Sequence, residues 1–320
     1  MSMVFMGTSD FSKKILATLL DAAFEITAVY TQAPKPTGRS YEVKKSPVHE
    51  FAEERGLFVY TPATLRSQEQ ENIFRSLGPH MAIVAAYGLI IPQNILDIPT
   101  NGFINVHASL LPRWRGAAPI QAAILAGDRK SGVTIMKMDA GVDTGDIISM
   151  KSIDILPQTT YGELEAQISA LGAEMIVKTL RNLQQSLAKA YPQPSEGATY
   201  AGKITKNSCR IDWNQSAEQI VRIIRAFSPY PSAWSEIEGM RIKIINADAV
   251  DSWDRSESTY QGSDCSASAC PGTLHGDITV SCGNGERLQI SVLQPAGKNF
   301  MSAADFSRGY KRLVGKQFRC

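Results

Sequence analysis

Long apolar runs are missing from this chain of 320 residues: nowhere do about 18 hydrophobic residues follow one another, the minimum for a membrane-crossing helix. Cysteine is scarce and poorly placed for structural work. The five cysteines (Cys209, Cys265, Cys270, Cys282 and Cys320) are odd in number and lack CxxC spacing, which argues against a disulfide framework or a zinc site and points to a reducing compartment. The four histidines, at 49, 80, 107 and 275, form no HxxxH or HExxH pair, so no metal is expected. No GxGxxG follows any candidate strand, which disfavours a dinucleotide oxidoreductase. A net charge of +2 is too small to mark a nucleic-acid binder by itself, although Arg308, Lys311, Arg312, Lys316 and Arg319 make the end of the chain locally basic. The opening MSMVFMGTSDFSKK is interrupted early by Gly7, Asp10 and two lysines, and reads as a first buried strand rather than a signal peptide.

The chain is longer than one core usually grows, so two domains are the expectation. Up to residue 110, short aliphatic runs at 3–6, 26–31, 57–60, 81–85 and 103–106 alternate with amphipathic stretches at 11–20, 47–55 and 68–77. That rhythm predicts an α/β domain with a parallel sheet, whose ligands bind beyond the carboxyl ends of the strands. The loops after Met6, Ala85 and Val106 are therefore the places to look for chemistry. A long amphipathic helix over 161–188 follows, then the Pro/Ser/Gly-rich stretch YPQPSEGATYAG, which has linker character. Past it come one helix, at 216–226, and short strands at 233–237, 241–247, 272–274, 278–282 and 288–293, a spacing that suggests a small β-barrel, for which an open five-stranded barrel of the oligonucleotide-binding type is one candidate. Residues 251–268, rich in Ser and acid, read as a flexible insertion.

The run INVHASLLPRWRGAAPI at 104–120 carries the strongest chemical signal. Asn105 and His107 are two apart at a strand end, so the alternation of a strand aims both at one side. A second run, MDAGVDTGDI at 138–147, holds two glycines and three aspartates and predicts a tight acidic loop. Its spacing does not fit a calcium loop. Folded beside His107, one of its carboxylates can orient the imidazole. Amide, imidazole and carboxylate without a serine or cysteine nucleophile suit direct acyl transfer to an amine, with the amide and a protonated imidazole holding the oxyanion. Taken alone, Asn-x-His at a strand end is also ordinary turn chemistry, and Trp114 between Arg113 and Arg115 is also a plausible surface cation–π cluster.

Together the two runs resemble the signature segments of the folate-dependent formyltransferase family. GTSDF near the start, TQAPKPTGRSYEVKKSPV at 31–48, AAYGLIIP at 85–92, CRIDW at 209–213, FSPYPSAW at 227–234 and LQPAGKNFMSAADF at 293–306 resemble landmarks of the branch that acts on aminoacylated tRNA. Ser9 stands where that branch carries proline, and Ser40, Tyr41 and Glu42 make the 33–45 loop less basic than its counterparts.

The resemblance implies a Rossmann-like formyltransferase domain over 1–190, a linker at 191–205, and an OB-like β-barrel domain over 206–320 that binds tRNA. It implies transfer of a formyl group from 10-formyltetrahydrofolate, a co-substrate, to the amino group of methionine on initiator tRNA, by a monomeric cytoplasmic enzyme without metal or membrane. Asn105, His107 and Asp143 become the catalytic group. Ser109, Leu110, Leu111 and Pro112 resemble the tetrahydrofolate-binding segment, and Leu89, Ile90 and Ile91 line the pteridine pocket. The 33–45 loop approaches the tRNA acceptor end through Lys35, Arg39, Lys44 and Lys45, with Lys203 and Lys206 extending the phosphate track. Two alternatives stay open: a relative acting on a small amine such as glycinamide ribonucleotide or an amino sugar nucleotide, and an RNA-binding relic without activity.

Overall fold

The computed structural model describes residues 1–37, 42–250 and 270–319. Arg39 and the insertion at 251–268 lie outside the described residues. The chain forms two compact units. One comprises Met1–Ile120, Arg129–Asp154 and Leu164–Lys203, the other Gln121–Asp128, Ile155–Glu163 and Ile204–Cys320. None of the described helices is long and apolar enough to cross a membrane.

The strands of the first unit are β1 (Met3–Gly7), β2 (Ile26–Tyr30), β3 (Lys35–Thr37), β4 (Glu42–Lys44), β5 (Val59–Tyr60), β6 (Met81–Ala85), β7 (Phe103–His107), β8 (Arg115–Gly116), β9 (Lys130–Lys137), β10 (Ile147–Asp154) and β11 (Tyr200–Ala201). Seven of them build one sheet in the order β10-β9-β7-β6-β1-β2-β5. From β5 to β7 all neighbours are parallel, as the alternating pattern predicts. β9 and β10 then add an antiparallel edge that the sequence reading did not anticipate.

Every residue of β1, β6 and β7 is buried, the signature of a sheet covered on both faces. One face holds Val4, Met6, Tyr30, Phe74, Val84, Tyr87, Ile91 and Phe103. Helices start where hydroxyls meet open amides. Ser9 caps the helix Asp10–Asp21 by accepting from the Ser12 amide, and Ser46 and Ser67 do the same for Pro47–Glu54 and Gln68–Ser76. Ser9 therefore has a local role as a cap. The predicted 161–188 helix is two helices, Tyr161–Arg181 and Leu183–Ala188, parted at Asn182, whose ψ of 39° is not helical.

The second unit contains β12 (Ala233–Ile237), β13 (Met240–Val250), β14 (Thr279–Ser281), β15 (Arg287–Pro295) and β16 (Met301–Ser302), all antiparallel. The helix Ala217–Phe227 opens with a reciprocal capping box between Ser216 and Gln219. Trp213 is fully buried, stacked on Phe318 at 5.2 Å, and donates from Nε1 to the Ser235 hydroxyl, which in turn donates to the Arg319 carbonyl. Truncating so large a core ring costs about 3–5 kcal/mol.

His275 bonds Ser281 at 2.8 Å, and burial, reinforced by Arg287, holds its imidazole below the ordinary value against an opposing pull from Asp277. Protonation is thus disfavoured in the folded state. Its contribution to stability is complete above the ordinary imidazole value, falls as pH drops through it, and levels off below the depressed one. His275→Gln is expected to gain stability relative to the parent as pH falls from about 7.5 to about 5.5, read by thermal unfolding at each pH.

Candidate functional site

β7 sits between β6 and β9, paired parallel through Val84 with Asn105 and antiparallel through Met136 with Asn105 and Thr134 with His107. That central place fixes the direction of both side chains. Asn105 and His107 are 7% and 5% exposed and emerge on the same face, as their spacing predicts. The acidic loop between β9 and β10 folds over them. Asp143 Oδ1 accepts from Asn105 Nδ2 at 3.2 Å, Oδ2 accepts from the Gly116 amide at 2.7 Å, and Oδ2 lies 3.7 Å from His107 Nδ1. The last contact is too long for a hydrogen bond and becomes an ion pair only once the ring is protonated.

The other ring nitrogen decides the tautomer. His107 Nε2 lies 2.9 Å from the Trp114 carbonyl, which can only accept, so Nε2 carries the hydrogen. Trp114 itself adopts φ +61°, a conformation that turns this carbonyl into the site, and the Arg113 guanidinium stacks over its ring at 4.3 Å. The cation–π pair anticipated from the sequence thus belongs to the residue whose backbone carbonyl meets the imidazole.

The acidic loop is tied internally. Asp139 Oδ1 accepts from the Gly141 amide and the Thr144 hydroxyl, and Lys137 N donates to the Asp146 carbonyl across the loop's base. Asp143 takes φ +52°, a left-handed conformation. Gly145 is required for space: a Cβ there would lie 2.0 Å from the Lys137 carbonyl oxygen, a backbone atom that cannot move aside cheaply. Gly145→Ala is expected to displace the loop and cut turnover roughly 100-fold, checked by kcat alongside thermal unfolding.

The Ser109–Pro112 segment is placed differently in its parts. Ser109 is 1% exposed and its hydroxyl donates to the Arg113 carbonyl at 2.6 Å, so it shapes the turn. The Leu111 amide donates to Thr134 Oγ1, which donates to the Ser109 carbonyl, while Leu111 packs with Met136 and Ile147 and Pro112 is half-buried. Leu110 is half-buried against Gly132. Of the apolar trio, Ile91 enters the core, Leu89 packs half-buried beside it with Met138, and Ile90 is 69% exposed. The trio is steadied from below, where Thr8 and Gln32 both donate to the Tyr87 carbonyl.

Lys35 and Lys44 face each other across the β3–β4 hairpin and are exposed, with Lys35 donating to Gln32. Lys45 pairs with Glu53 at 2.5 Å, and this hydrogen bond holds the Glu53 carboxyl below its ordinary value. Lys203 is exposed at the end of the first unit and Lys206 is exposed in the second, where its carbonyl accepts from Trp234 Nε1.

The formyl transferase family model matches residues 1–180, and the model of the formyl transferase C-terminal domain matches residues 203–311. This chain belongs to the formyl transferase family. A relative from Roseobacter denitrificans, a methionyl-tRNA formyltransferase, is 46% identical over 320 residues, covering 100% of this chain and 99% of its own length. A methionyl-tRNA formyltransferase from Paramagnetospirillum magneticum is also 46% identical, over 97% of each chain. Among solved structures, HypX from Aquifex aeolicus superposes with a TM-score of 0.64 at 16% identity over 98% of this chain and 48% of its own. An N-formyltransferase from Helicobacter canadensis gives 0.61 at 17% identity over 90% and 98%. These distant likenesses speak for the formyl transferase fold alone.

Several residues of this cluster carried no individual signal in the sequence. Gly116 contributes a backbone amide and Trp114 a carbonyl, and neither atom depends on side-chain type. Gln193 lies in a stretch whose composition reads as linker, yet its amide bonds the acidic loop directly.

Proposed function

We propose that this chain transfers a formyl group from 10-formyltetrahydrofolate to the amino group of methionine esterified to initiator tRNA. The observation that carries the reading is the convergence of Asn105 and His107 on Asp143 in a chain 46% identical over its full length to a methionyl-tRNA formyltransferase. The nearby serine supports direct transfer. Ser109 spends its hydroxyl hydrogen on the Arg113 carbonyl rather than on the imidazole, so it is not prepared as a nucleophile.

When bound, the folate supplies the formyl group and a departing nitrogen. Apolar Leu89, Ile91 and Met138 suit one side of a flat, partly apolar ring system, and backbone polar groups of the same loops suit its edge. As the amine attacks, negative charge builds on the formyl oxygen. Asn105 Nδ2 has two hydrogens and gives one to Asp143, leaving one for that oxygen. The Nε2 hydrogen of His107 is held by the Trp114 carbonyl, so the ring gains its second N–H, at Nδ1, and a positive charge beside Asp143 on protonation; the proton lost by the attacking amine ends on the departing folate nitrogen, with the imidazole as the relay. Asp143 holds Asn105 through Oδ1, while Oδ2 accepts from the Gly116 amide and faces His107.

Lys35, Arg39, Lys44, Lys45, Lys203 and Lys206 are the proposed phosphate contacts, of which Lys45 must exchange Glu53 for phosphate. The proposed enzyme works as a monomer in the cytoplasm, a reducing compartment with which the sparse, unpatterned cysteines accord.

The test is formyl transfer from 10-formyltetrahydrofolate to charged initiator methionyl-tRNA, with free methionine, glycinamide ribonucleotide and an amino sugar nucleotide as competing acceptors. Transfer to the charged tRNA alone is expected. Transfer to a small acceptor instead would keep the chemistry and overturn the substrate.

A further inference from the structure

Residues 191–201 have the composition of a tether, but their backbone and side chains are spent on the two loops that frame Asp143. Tyr191 and Ile147 exchange both backbone hydrogen bonds, closing the far end of the acidic loop. Farther on, β11 runs parallel to β8: the Arg115 amide donates to the Thr199 carbonyl, the Ala117 amide to the Ala201 carbonyl, and the Trp114 amide to Thr199 Oγ1. The fit is close enough that a Cβ on Gly116 would lie 2.6 Å from the Ala201 oxygen. The connector thereby grips the segment that offers the Trp114 carbonyl to His107 and the Gly116 amide to Asp143.

Between these two grips lies Gln193. Its Nε2 donates to the carbonyls of Asp143 and Gly145, both at 2.8 Å, and its Oε1 accepts from Arg115 Nε at 3.1 Å and Nη2 at 2.7 Å. Both hydrogens and both lone pairs of the amide are used. The chemistry of the partners also fixes which way the amide points, because a guanidinium only donates and a carbonyl only accepts. Glutamine alone among the side chains of this length offers two donors and an acceptor together.

We infer that Gln193 is a positioning residue for formyl transfer, holding the backbone of Asp143 at the height where its carboxylate reaches Asn105, the Gly116 amide and His107. The inference rests on the reading of Asp143 given under Proposed function. It extends the reaction's machinery into the segment that joins the two family domains, outside both stretches matched by the family models.

The experiment uses the full chain with charged initiator tRNA and 10-formyltetrahydrofolate, comparing Gln193→Met, Gln193→Glu, Arg115→Met and the double variant Gln193→Met/Arg115→Met, with Asp143→Asn in parallel. Methionine keeps the volume and removes all four hydrogen bonds. Gln193→Met is expected to lower kcat roughly 10- to 100-fold with the KM values of both substrates within about twofold. Gln193→Glu keeps an acceptor for Arg115 but sets a carboxylate against two carbonyls, so it is expected to fall at least as far. Should Gln193→Met fail to fold, Gln193→Glu, which retains the Arg115 pair, carries the comparison. The double variant is expected to be no worse than the poorer single one, since both act through the same loop. A Gln193→Met enzyme within twofold of the parent kcat, or a loss confined to KM, overturns the inference. If Asp143→Asn itself stays active, the reading of Asp143 fails and Gln193 has nothing to position; if Asp143→Asn is inactive and Gln193→Met is not impaired, only the positioning role fails.

Discussion

Alanine in place of His107 is expected to lower the rate of formyl transfer roughly 1000-fold, because one side chain provides both a preorganised charge and a route for the amine's proton. The residue is 5% exposed and fastened from two directions, by the Trp114 carbonyl at Nε2 and by Asp143 at Nδ1. Its removal leaves the aliphatic residues and the exposed lysines proposed to meet folate and tRNA untouched, so binding of tRNA and of a folate analogue should stay near parental values. Single-turnover transfer to charged initiator tRNA, with each ligand saturating, isolates the chemical step. Asn105→Ala, which removes one donor without removing the charge, is expected to lose roughly 100-fold in the same assay. A His107→Ala enzyme within tenfold of the parent would take the imidazole out of the mechanism.

Asp143→Asn is the second large effect, and the backbone makes it a clean one. At φ +52° most side chains are strained, but asparagine tolerates this region nearly as well as aspartate, so the exchange changes charge and hydrogen bonding and leaves the loop's conformation alone. A carboxylate accepts from Asn105 Nδ2 and from the Gly116 amide at once. An amide has one oxygen, so one of those donors must face an NH2 group, and the charge opposite His107 is gone. A loss of roughly 1000-fold or more in kcat is expected, with thermal unfolding close to the parent. Asp143→Ala is a poorer probe, since alanine adds backbone strain to the chemical loss. A thermal midpoint that falls steeply in Asp143→Asn would show that the carboxylate serves the fold before it serves the reaction.

Much of this arrangement could be read from the chain before its structure. The aliphatic runs at 81–85 and 103–106 lie within β6 and β7, and the two-residue spacing of Asn105 and His107 correctly puts them on one face, because strand alternation is a local rule. Asp143 could be brought near them only through the family resemblance, since 36 residues separate it from His107. The antiparallel edge went unread for a physical reason: β9 and β10 flank the Asp/Gly loop, and β10 alternates poorly, with an exposed middle at Met150 and Lys151. Ser109 was legible as a member of its segment but not in its orientation, because whether a hydroxyl faces a ligand or its own turn is settled by tertiary contacts. Gln193 was illegible altogether. Proline, serine and glycine around it report conformational preference, whereas its four hydrogen bonds depend on loops about 50 and 80 residues away.

The strap formed by residues 191–201 also changes what counts as a separable part of this protein. A gene fragment cut at the composition boundary near residue 190 would retain Asn105, His107 and Asp143 and most of the sheet, yet lose Tyr191, Gln193 and Thr199, which brace the loops around them. A fragment that keeps these braces has to run through Lys203, where the last segment of the first compact unit ends. The boundary suggested by amino-acid composition and the end of that segment fall about a dozen residues apart, and only a cut at the later one keeps the loops around Asp143 braced.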